Sequence, residues 1–195
     1  PHKVIIKKEP KKYNVLMASR MLQDKGVFEF ISASKKVAEV FPDVKFTLAG
    51  GFDKENPESI NKDTLLSLLK NSPVKYIGFS SNIYKELSDC NIAVLPSYRE
   101  GFPRFLIEAA ASERALISTY APGCQEVVNN YKTGLLVPIK NSEALADAII
   151  FLLNNESIRV KMAKSARKES INIFHIDHII RAHMVLYDQK QAKVV

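Results

Sequence analysis

Hydrophobic residues along this chain form short continuous runs, separated by longer stretches in which apolar residues recur at helical spacing. The short runs are aliphatic or β-branched and are bounded by turn residues, which predicts buried strands. They are NVLMAS (14–19), VKFTLAG (44–50), VKYIG (74–78), IAVLP (92–96), ALIST (115–119) and GLLVP (134–138).

The segments between these runs predict helices. In GVFEFISASKKVAEVF (26–41), the apolar residues fall near the spacing of one helical face. Strands that alternate with helices and are apolar throughout predict an α/β fold with a doubly wound parallel sheet of about six strands and helices on both faces. The remaining predicted helices cover 63–70, 83–90, 104–113 and 142–154, followed by two consecutive helices over 157–174 and 175–190.

The length and composition indicate a single globular domain. The chain has 195 residues, of which 46% are hydrophobic and 25% charged. No apolar run approaches the length of a membrane span, and no signal peptide opens the chain. Cys90 and Cys124 lack C-x-x-C spacing, so we expect neither a disulfide framework nor a zinc site, and a reducing compartment is the default. Because the chain opens with Pro1 and His2, we expect it to be a piece of a longer protein.

A net charge of +7 predicts an anionic partner: nucleic acid, a phosphorylated metabolite or an anionic membrane face. Much of the excess charge lies in HKVIIKKEPKK (2–12) and RVKMAKSARK (159–168). Such clusters are more typical of solvated faces than of binding sites. Because no basic patch is interleaved with aromatic residues and no nucleic-acid motif occurs, we expect no nucleic-acid partner.

Two carboxylates in SYREGFPRFLIEAAA (97–111) are candidates for chemistry. Glu100 follows a predicted strand, Glu108 lies one to two turns inside the next helix, and Pro103 suits the first turn of that helix. A helix N-terminus binds phosphate through its unpaired N–H groups and its dipole. Carboxylates on either side of a phosphate would accept hydrogen bonds from hydroxyls, and a nucleotide sugar carries hydroxyls at both ends.

Cations that would neutralise a diphosphate follow the first strand. Arg20 offers a planar fork of donors and Lys25 a point charge. No D-x-D pair occurs, so a carboxylate-bound Mg²⁺ is not expected. Taken singly, each of these charged residues is also typical of an ordinary solvated surface.

The segment REGFPRFLIEAAA (99–111) resembles the E-x7-E signature of the retaining family-4 glycosyltransferases, the glycosyl transferases group 1 C-terminal domain. Glu113 and Ala115 depart from the Gly and Pro of many relatives, which affects a turn and the start of a strand. Further similar segments follow in the family's order over nearly the whole chain: ASRMLQDKGVFEFI (18–31), LAGG (48–51), YIGFSSNIYKEL (76–87) and PGCQEVVNNYKTGLLVPIKNSEALADAI (122–149).

This resemblance implies the C-terminal, donor-binding half of a GT-B architecture, in which two Rossmann-like domains face each other across a cleft. Residues 1–195 would form one nucleotide-sugar-binding domain, 155–195 would be its closing helices, and the N-terminal acceptor domain would be absent. The family pattern implies that Arg20 and Lys25 hold the diphosphate, that Glu100 contacts the donor hexose, and that Glu108 contacts the ribose hydroxyls.

Other donor-binding positions implied by the family flank these charged residues. Backbone at the helix start would approach the sugar and phosphate, and the loop after the third strand would lie near the base. These positions are Gly101, Phe102 and Pro103 at the helix start, and Gly78, Phe79 and Ile83 in the loop.

The implied reaction transfers a hexose from a nucleoside-diphosphate sugar to a glycan or lipid-linked acceptor with retention, in bacterial surface-polysaccharide assembly. The family branch favours a UDP-sugar, with no metal and no cofactor. We expect a cytoplasmic location with peripheral contact at the inner face of the membrane, and a fragment that binds donor without transfer. The alternative is a nucleotide-binding regulatory module without transferase activity.

Two further sets of residues attract attention without predicting a site. The C-terminal histidines do not reproduce an i,i+4 zinc pair, so a surface or interface role is expected. Three tyrosines fit ligand contact and packing equally well. The residues are His175, His178 and His183, and Tyr84, Tyr98 and Tyr120.

Overall fold

Six parallel strands form one sheet in the computed structural model, which describes residues 12–174 and positions 177, 180, 181, 184 and 185. All six predicted strands are confirmed, in the order β3-β2-β1-β4-β5-β6. The strands are β1 (Asn14–Ala18), β2 (Lys45–Ala49), β3 (Val74–Tyr76), β4 (Ile92–Leu95), β5 (Ala115–Thr119) and β6 (Gly134–Val137).

Helices follow the strands as predicted, with one addition: a short 3₁₀ helix (Gln23–Lys25) precedes the first α-helix. The second predicted C-terminal helix (175–190) lies outside the described residues apart from five helical positions, and the three histidines lie outside them entirely. The α-helices are α1 (Val27–Val40), α2 (Lys62–Leu69), α3 (Ile83–Ser88), α4 (Arg104–Ala111), α5 (Ser142–Asn154) and α6 (Glu156–Ile173).

The core lies on both faces of the sheet because successive strand residues point in opposite directions. Val15 and Met17 of β1 are buried in the cluster that contains residues of α1 and α5. Leu16, between them, is buried in the opposite cluster with residues of α4. This two-sided burial explains why β4 and residues 15–18 of β1 are continuously apolar, whereas β2 and β3 carry the exposed Lys45 and Lys75. It also confirms a Rossmann-like sheet with helices on both faces.

Helix starts differ in a way that bears on ligand binding. Asn61, Asn82 and Asn141 each accept a hydrogen bond from a first-turn N–H of α2, α3 and α5. By contrast, α1 begins after Gly26 and α4 after Pro103, both without a side-chain cap. The first N–H groups of α1 and α4 therefore receive no local side-chain acceptor.

The strand order reverses between β1 and β4. From β1 the chain moves outward to β2 and β3, and from β4 it moves the other way to β5 and β6. In doubly wound sheets this point opens a crevice at the carboxyl ends of the strands, and ligands bind there. No helix within the described residues combines the length and apolar character needed to cross a membrane.

Candidate functional site

The loops that follow β1 and β4 pack directly against each other at this crevice. Gly26 has φ of 73°, and a Cβ at its position would lie 2.2 Å from the Pro96 carbonyl oxygen. The Tyr98 N–H donates to the Asp24 carbonyl at 2.7 Å, and Ser97 Oγ donates to the same oxygen at 3.0 Å. Only glycine permits this approach, which brings the 3₁₀ helix against the loop that carries Glu100.

Lys25 and Glu100, two predicted catalytic residues, are in contact. Lys25 Nζ lies 2.9 Å from Glu100 Oε1, and both side chains are largely buried, with 11% and 15% exposed. Lys25 Nζ also donates to the Arg99 carbonyl at 3.1 Å. Asp24 Oδ2 lies 3.7 Å from the same ammonium, so a ligand phosphate that binds its third N–H would compete with this second carboxylate. The pair thus holds a cation and a carboxylate side by side at the end of β4.

The segment after β5 packs against the backbone of Glu100, a contact that the sequence did not reveal. The Glu100 N–H donates to the Pro122 carbonyl at 3.1 Å. Gly123 has φ of 82°, and a Cβ there would lie 2.3 Å from the Glu100 carbonyl oxygen. Cys124 is a fully buried free thiol whose pKa is raised, chiefly by burial. Nothing in the composition of this segment indicates a contact with Glu100.

A cavity of about 220 Å³ is lined by residues from four segments of the chain: 18–20, 49–51, 79–83 and 105–108. Four predicted site residues line it together: Arg20, Phe79, Ile83 and Glu108. The sequence did not single out Phe105, which also lines it. Gly78 directly precedes Phe79 in the loop after β3, and its carbonyl accepts a hydrogen bond from the Gly50 N–H at 2.8 Å. The cavity has apolar walls and one charged group of each sign.

Glu108 is the partly buried carboxylate of this cavity. Burial raises its pKa, and the nearby Arg104 guanidinium lowers it by a smaller amount. Arg104 Nη2 lies 3.8 Å from Glu108 Oε1, one helical turn away along α4. The pKa of Tyr84 is also raised, by burial first and by the charge of Glu108 second. Tyr84 is therefore a neighbour of this carboxylate that the sequence left undecided between packing and ligand contact.

A pH dependence follows from the raised Glu108 pKa. If the carboxylate accepts hydrogen bonds from ribose hydroxyls, protonation removes part of its acceptor capacity. Nucleotide affinity should fall as pH decreases, starting at a higher pH than an ordinary glutamate with a pKa of 4.5 would allow. Titrations of UDP by calorimetry between neutral and mildly acidic pH would measure this fall.

The same shift has a consequence for stability. A raised native pKa means that the folded state binds this proton more tightly than the unfolded state does. The ionised carboxylate therefore opposes folding above that pKa, and Glu108→Gln should be no less stable than the wild type at neutral pH.

In Glu108→Gln the slope of UDP affinity against pH should flatten. An unchanged slope would contradict the assignment of the pH dependence to Glu108.

Arg20 extends from the cavity rim and is 58% exposed. Its Nη1 donates to Asp53 Oδ2 at 2.6 Å. Asp53 lies in the loop after β2 and was not among the predicted site residues. Its ion pair with Arg20 depends on the adjacency of β1 and β2, which the sequence alone does not specify.

Gly101, Phe102 and Pro103 link Glu100 to α4. Gly101 and Phe102 are exposed, and the Phe102 ring packs edge-on against Phe174 with centroids 5.5 Å apart. Pro103 was expected in the first turn of α4 but lies one residue before it, where its carbonyl accepts the first helical hydrogen bond from the Leu106 N–H at 3.0 Å. Its φ of −76° suits this position.

The remaining candidates have structural explanations. The Tyr98 hydroxyl donates to Glu29 Oε1 at 2.6 Å, and burial together with Glu29 raises its pKa. Cys90 is fully buried in the core cluster that contains residues of α4. Among the described residues, no three His, Cys, Asp or Glu side chains gather in a way that suits a metal ion.

Comparison with known proteins places this geometry in a family. Residues 2–169 match the family described as "Glycosyl transferases group 1". A Campylobacter jejuni N,N'-diacetylbacillosaminyl-diphospho-undecaprenol alpha-1,3-N-acetylgalactosaminyltransferase is 36% identical over 179 residues, which are 92% of this chain and 45% of that protein. The capsular polysaccharide biosynthesis glycosyltransferase CapM of Staphylococcus aureus is 34% identical over 155 residues, which are 80% of this chain and 40% of CapM. The chain thus spans less than half the length of both relatives.

Solved structures agree with the sequence comparison. The C-terminal domain of a Francisella tularensis glycosyl transferase group 1 family protein (LpcC) superposes with a TM-score of 0.76 at 27% identity, covering 86% of this chain and 89% of that one. A S. aureus TarM variant, crystallised with UDP among other ligands, superposes with a TM-score of 0.80 at 25% identity, over 94% of this chain and 38% of that one. The chain therefore belongs to the glycosyl transferases group 1 family, and its fold is that of the C-terminal domain of GT-B glycosyltransferases.

Proposed function

We propose that this chain is the donor-binding domain of a retaining family-4 glycosyltransferase. The enzyme would transfer a hexose from a UDP-sugar to a glycan or lipid-linked acceptor in bacterial surface-polysaccharide biosynthesis. One observation carries the proposal: the loops after β1 and β4, on either side of the strand-order reversal, hold the largely buried Lys25–Glu100 pair, and Arg20 of the first loop lines a cavity together with Glu108 of α4. Lys25 and Glu100 themselves do not line that cavity.

Each part of the site corresponds to one part of a nucleotide sugar. Glu108 is positioned to accept hydrogen bonds from the vicinal ribose hydroxyls, and Phe79 and Ile83 provide apolar surface for the base. Arg20 at the rim supplies a fork of N–H donors for the diphosphate. Glu100, held by Lys25, is left to contact the hexose hydroxyls.

The chemistry requires stabilisation of a departing nucleoside diphosphate. The bond from the anomeric carbon to the diphosphate breaks, a bond from that carbon to the acceptor oxygen forms on the same face, and the acceptor proton is released. The ammonium of Lys25, the guanidinium of Arg20 and the uncapped start of α4 would supply positive charge where the leaving group gains negative charge. Because these groups are available, the proposal includes no metal ion and no cofactor.

The names of the relatives support the acceptor class. The C. jejuni relative is named for a diphospho-undecaprenol acceptor, and CapM for capsular polysaccharide biosynthesis. TarM, crystallised with UDP, supports a uridine nucleotide over GDP or ADP. We propose that the acceptor site lies in an N-terminal domain of a longer protein, at the cytoplasmic face of a membrane, and that this chain alone binds donor without transfer.

Calorimetric titration with UDP, GDP and ADP tests the proposal directly. We expect UDP to bind in preference to the other two. In Glu108→Ala, UDP affinity should fall by about 10- to 100-fold, since hydrogen bonds to a charged group contribute about 1.5–3 kcal/mol each. Glu113→Ala, a glutamate just beyond α4 and outside the cavity lining, is the control and should bind like the wild type.

The remaining outcomes separate the parts of the proposal. Preference for another nucleotide would contradict the UDP assignment and leave the site in place. Absence of binding by all three nucleotides would contradict the donor site. Tight UDP binding by a full-length protein that transfers no sugar to any lipid-linked acceptor would favour a regulatory nucleotide-binding module instead.

A further inference from the structure

Arg20, the cation that the donor diphosphate would bind, already forms an ion pair with Asp53. Arg20 lines the cavity, and its Nη1 lies 2.6 Å from Asp53 Oδ2. The two side chains are 58% and 30% exposed, so the pair lies at the rim, in contact with solvent. A diphosphate that binds Arg20 must therefore compete with a carboxylate of the protein itself.

The backbone on both sides of this pair is firmly held. The Met21 N–H donates to the Gly51 carbonyl at 2.9 Å, which joins the loop of Arg20 to the loop of Asp53. The Tyr76 hydroxyl donates to the Gly50 carbonyl at 2.7 Å, and the Phe52 ring packs on Tyr76 with centroids 6.0 Å apart. Asp53 is thus presented to Arg20 by an anchored loop, while the guanidinium itself stays free to change partners.

The phosphate and the Asp53 carboxylate compete for the Arg20 guanidinium, and the phosphate binds it more strongly. An exposed ion pair is weak because water screens both charges. A phosphate accepts two parallel hydrogen bonds from a guanidinium and carries a greater charge, so it binds Arg20 more strongly than one carboxylate oxygen does. The carboxylate of Asp53 would then be left near the diphosphate and would repel it.

We propose that Asp53 sets the affinity of the site for the donor: it holds Arg20 at the rim of the empty site and is displaced by the diphosphate. This inference rests on the proposed donor-binding function. Ligands that lack phosphate do not compete with Asp53 for Arg20, so removing the ion pair should not change their affinity. Asp53 is therefore a positioning residue that acts through Arg20.

The test compares UDP and uridine in Asp53→Asn and in the wild type by calorimetry. The asparagine keeps the shape of the side chain and removes its charge. UDP should bind Asp53→Asn about two- to fivefold more tightly, the size expected for release of an exposed ion pair. Uridine affinity should stay unchanged. Asp53→Ala should show the same direction, which guards against an effect peculiar to asparagine.

Two matched variants isolate the mechanism. Asp43→Asn removes one negative charge at the opposite, amino end of β2 and should leave UDP affinity unchanged. In an Arg20→Gln background, UDP should bind more weakly, and the further change Asp53→Asn should add much less than it does in the wild type. If Asp53→Asn raised UDP affinity in the Arg20→Gln background as much as it does in the wild type, Asp53 would act on the phosphate without Arg20. That result would overturn the proposal.

The outcomes distinguish this inference from the function on which it rests. If the wild type binds UDP and Asp53→Asn binds it equally or more weakly, the inference is wrong and the donor site stands. Weaker binding would mean that Asp53 orients Arg20 for the donor instead of competing with it. If the wild type binds no nucleotide, both the donor site and this inference are contradicted.

Discussion

Replacing Lys25 with alanine is expected to lower kcat/KM for sugar transfer by the full-length protein by about 100-fold or more, the scale seen when one preorganised donor to a developing negative charge is removed. Lys25 is expected to act twice. One of its N–H groups would face the leaving diphosphate, and another holds Glu100 at 2.9 Å. Its loss therefore removes positive charge from the leaving group and also leaves a largely buried carboxylate without its cation.

Calorimetry on this chain separates the two roles of Lys25. UDP affinity of Lys25→Ala should fall by about 10-fold or more, because the diphosphate loses a charge-assisted hydrogen bond. Lys25→Arg should rescue little, since a planar guanidinium does not fit the enclosed position of an ammonium that is 11% exposed. Lys36→Ala, which removes a partly exposed lysine of α1 that pairs with Glu143 and Asp147 of α5, is the control for loss of an ion-paired lysine. Wild-type UDP affinity in Lys25→Ala would refute its phosphate role.

The second large effect is expected at Gly26. An alanine there would place its Cβ 2.2 Å from the Pro96 carbonyl oxygen at a φ of 73°. The left-handed conformation alone costs about 1–3 kcal/mol for a non-glycine residue. The overlap with backbone adds more, because either the 3₁₀ helix or the end of β4 must shift. The free energy of unfolding should therefore drop by about 3 kcal/mol, measured by urea denaturation.

Gly101→Ala provides the comparison for Gly26→Ala. Nothing lies within 4 Å of an added Cβ at Gly101, and its φ is not in the left-handed region. Its free energy of unfolding should stay within about 0.5 kcal/mol of the wild type, as is usual for open surface positions. Equal stability of Gly26→Ala and Gly101→Ala would show that the two loops do not depend on the close approach of Gly26 to Pro96.

The sequence predicted the elements of this fold well because burial on both faces makes the central strands β1 and β4 almost entirely apolar. Leu16 and Met17 of β1 illustrate this, since they enter opposite core clusters and both must be apolar. The 3₁₀ helix was missed because its longer-range hydrogen bonds come from distant segments: the Gln23 N–H donates to the Glu58 carbonyl at 2.9 Å, and the Asp24 carbonyl accepts from the Tyr98 N–H at 2.7 Å.

The candidate site was predictable to the extent that it follows from sheet topology. Arg20 follows β1 and Glu108 lies in α4, which follows β4; the family resemblance assigned both to one donor, and both line one cavity. The contacts of Asp53 and Gly123 were not foreseen, because an aspartate or a glycine in a loop has no pattern that reveals its neighbour. Tyr84 was considered but left undecided between packing and ligand contact. The roles of the predicted residues in donor binding remain predictions for the experiments above.

The contact between Phe102 and Phe174 determines where this domain can be cut. The family match ends at residue 169, five positions before Phe174. A shortened protein designed from that boundary would lose the last turn of α6 and, with it, the aromatic cover of Phe102 in the loop between Glu100 and α4. Phe102 is already 50% exposed and would become an unprotected apolar side chain beside the donor site. The smallest unit useful for ligand studies or crystallisation therefore extends through Phe174.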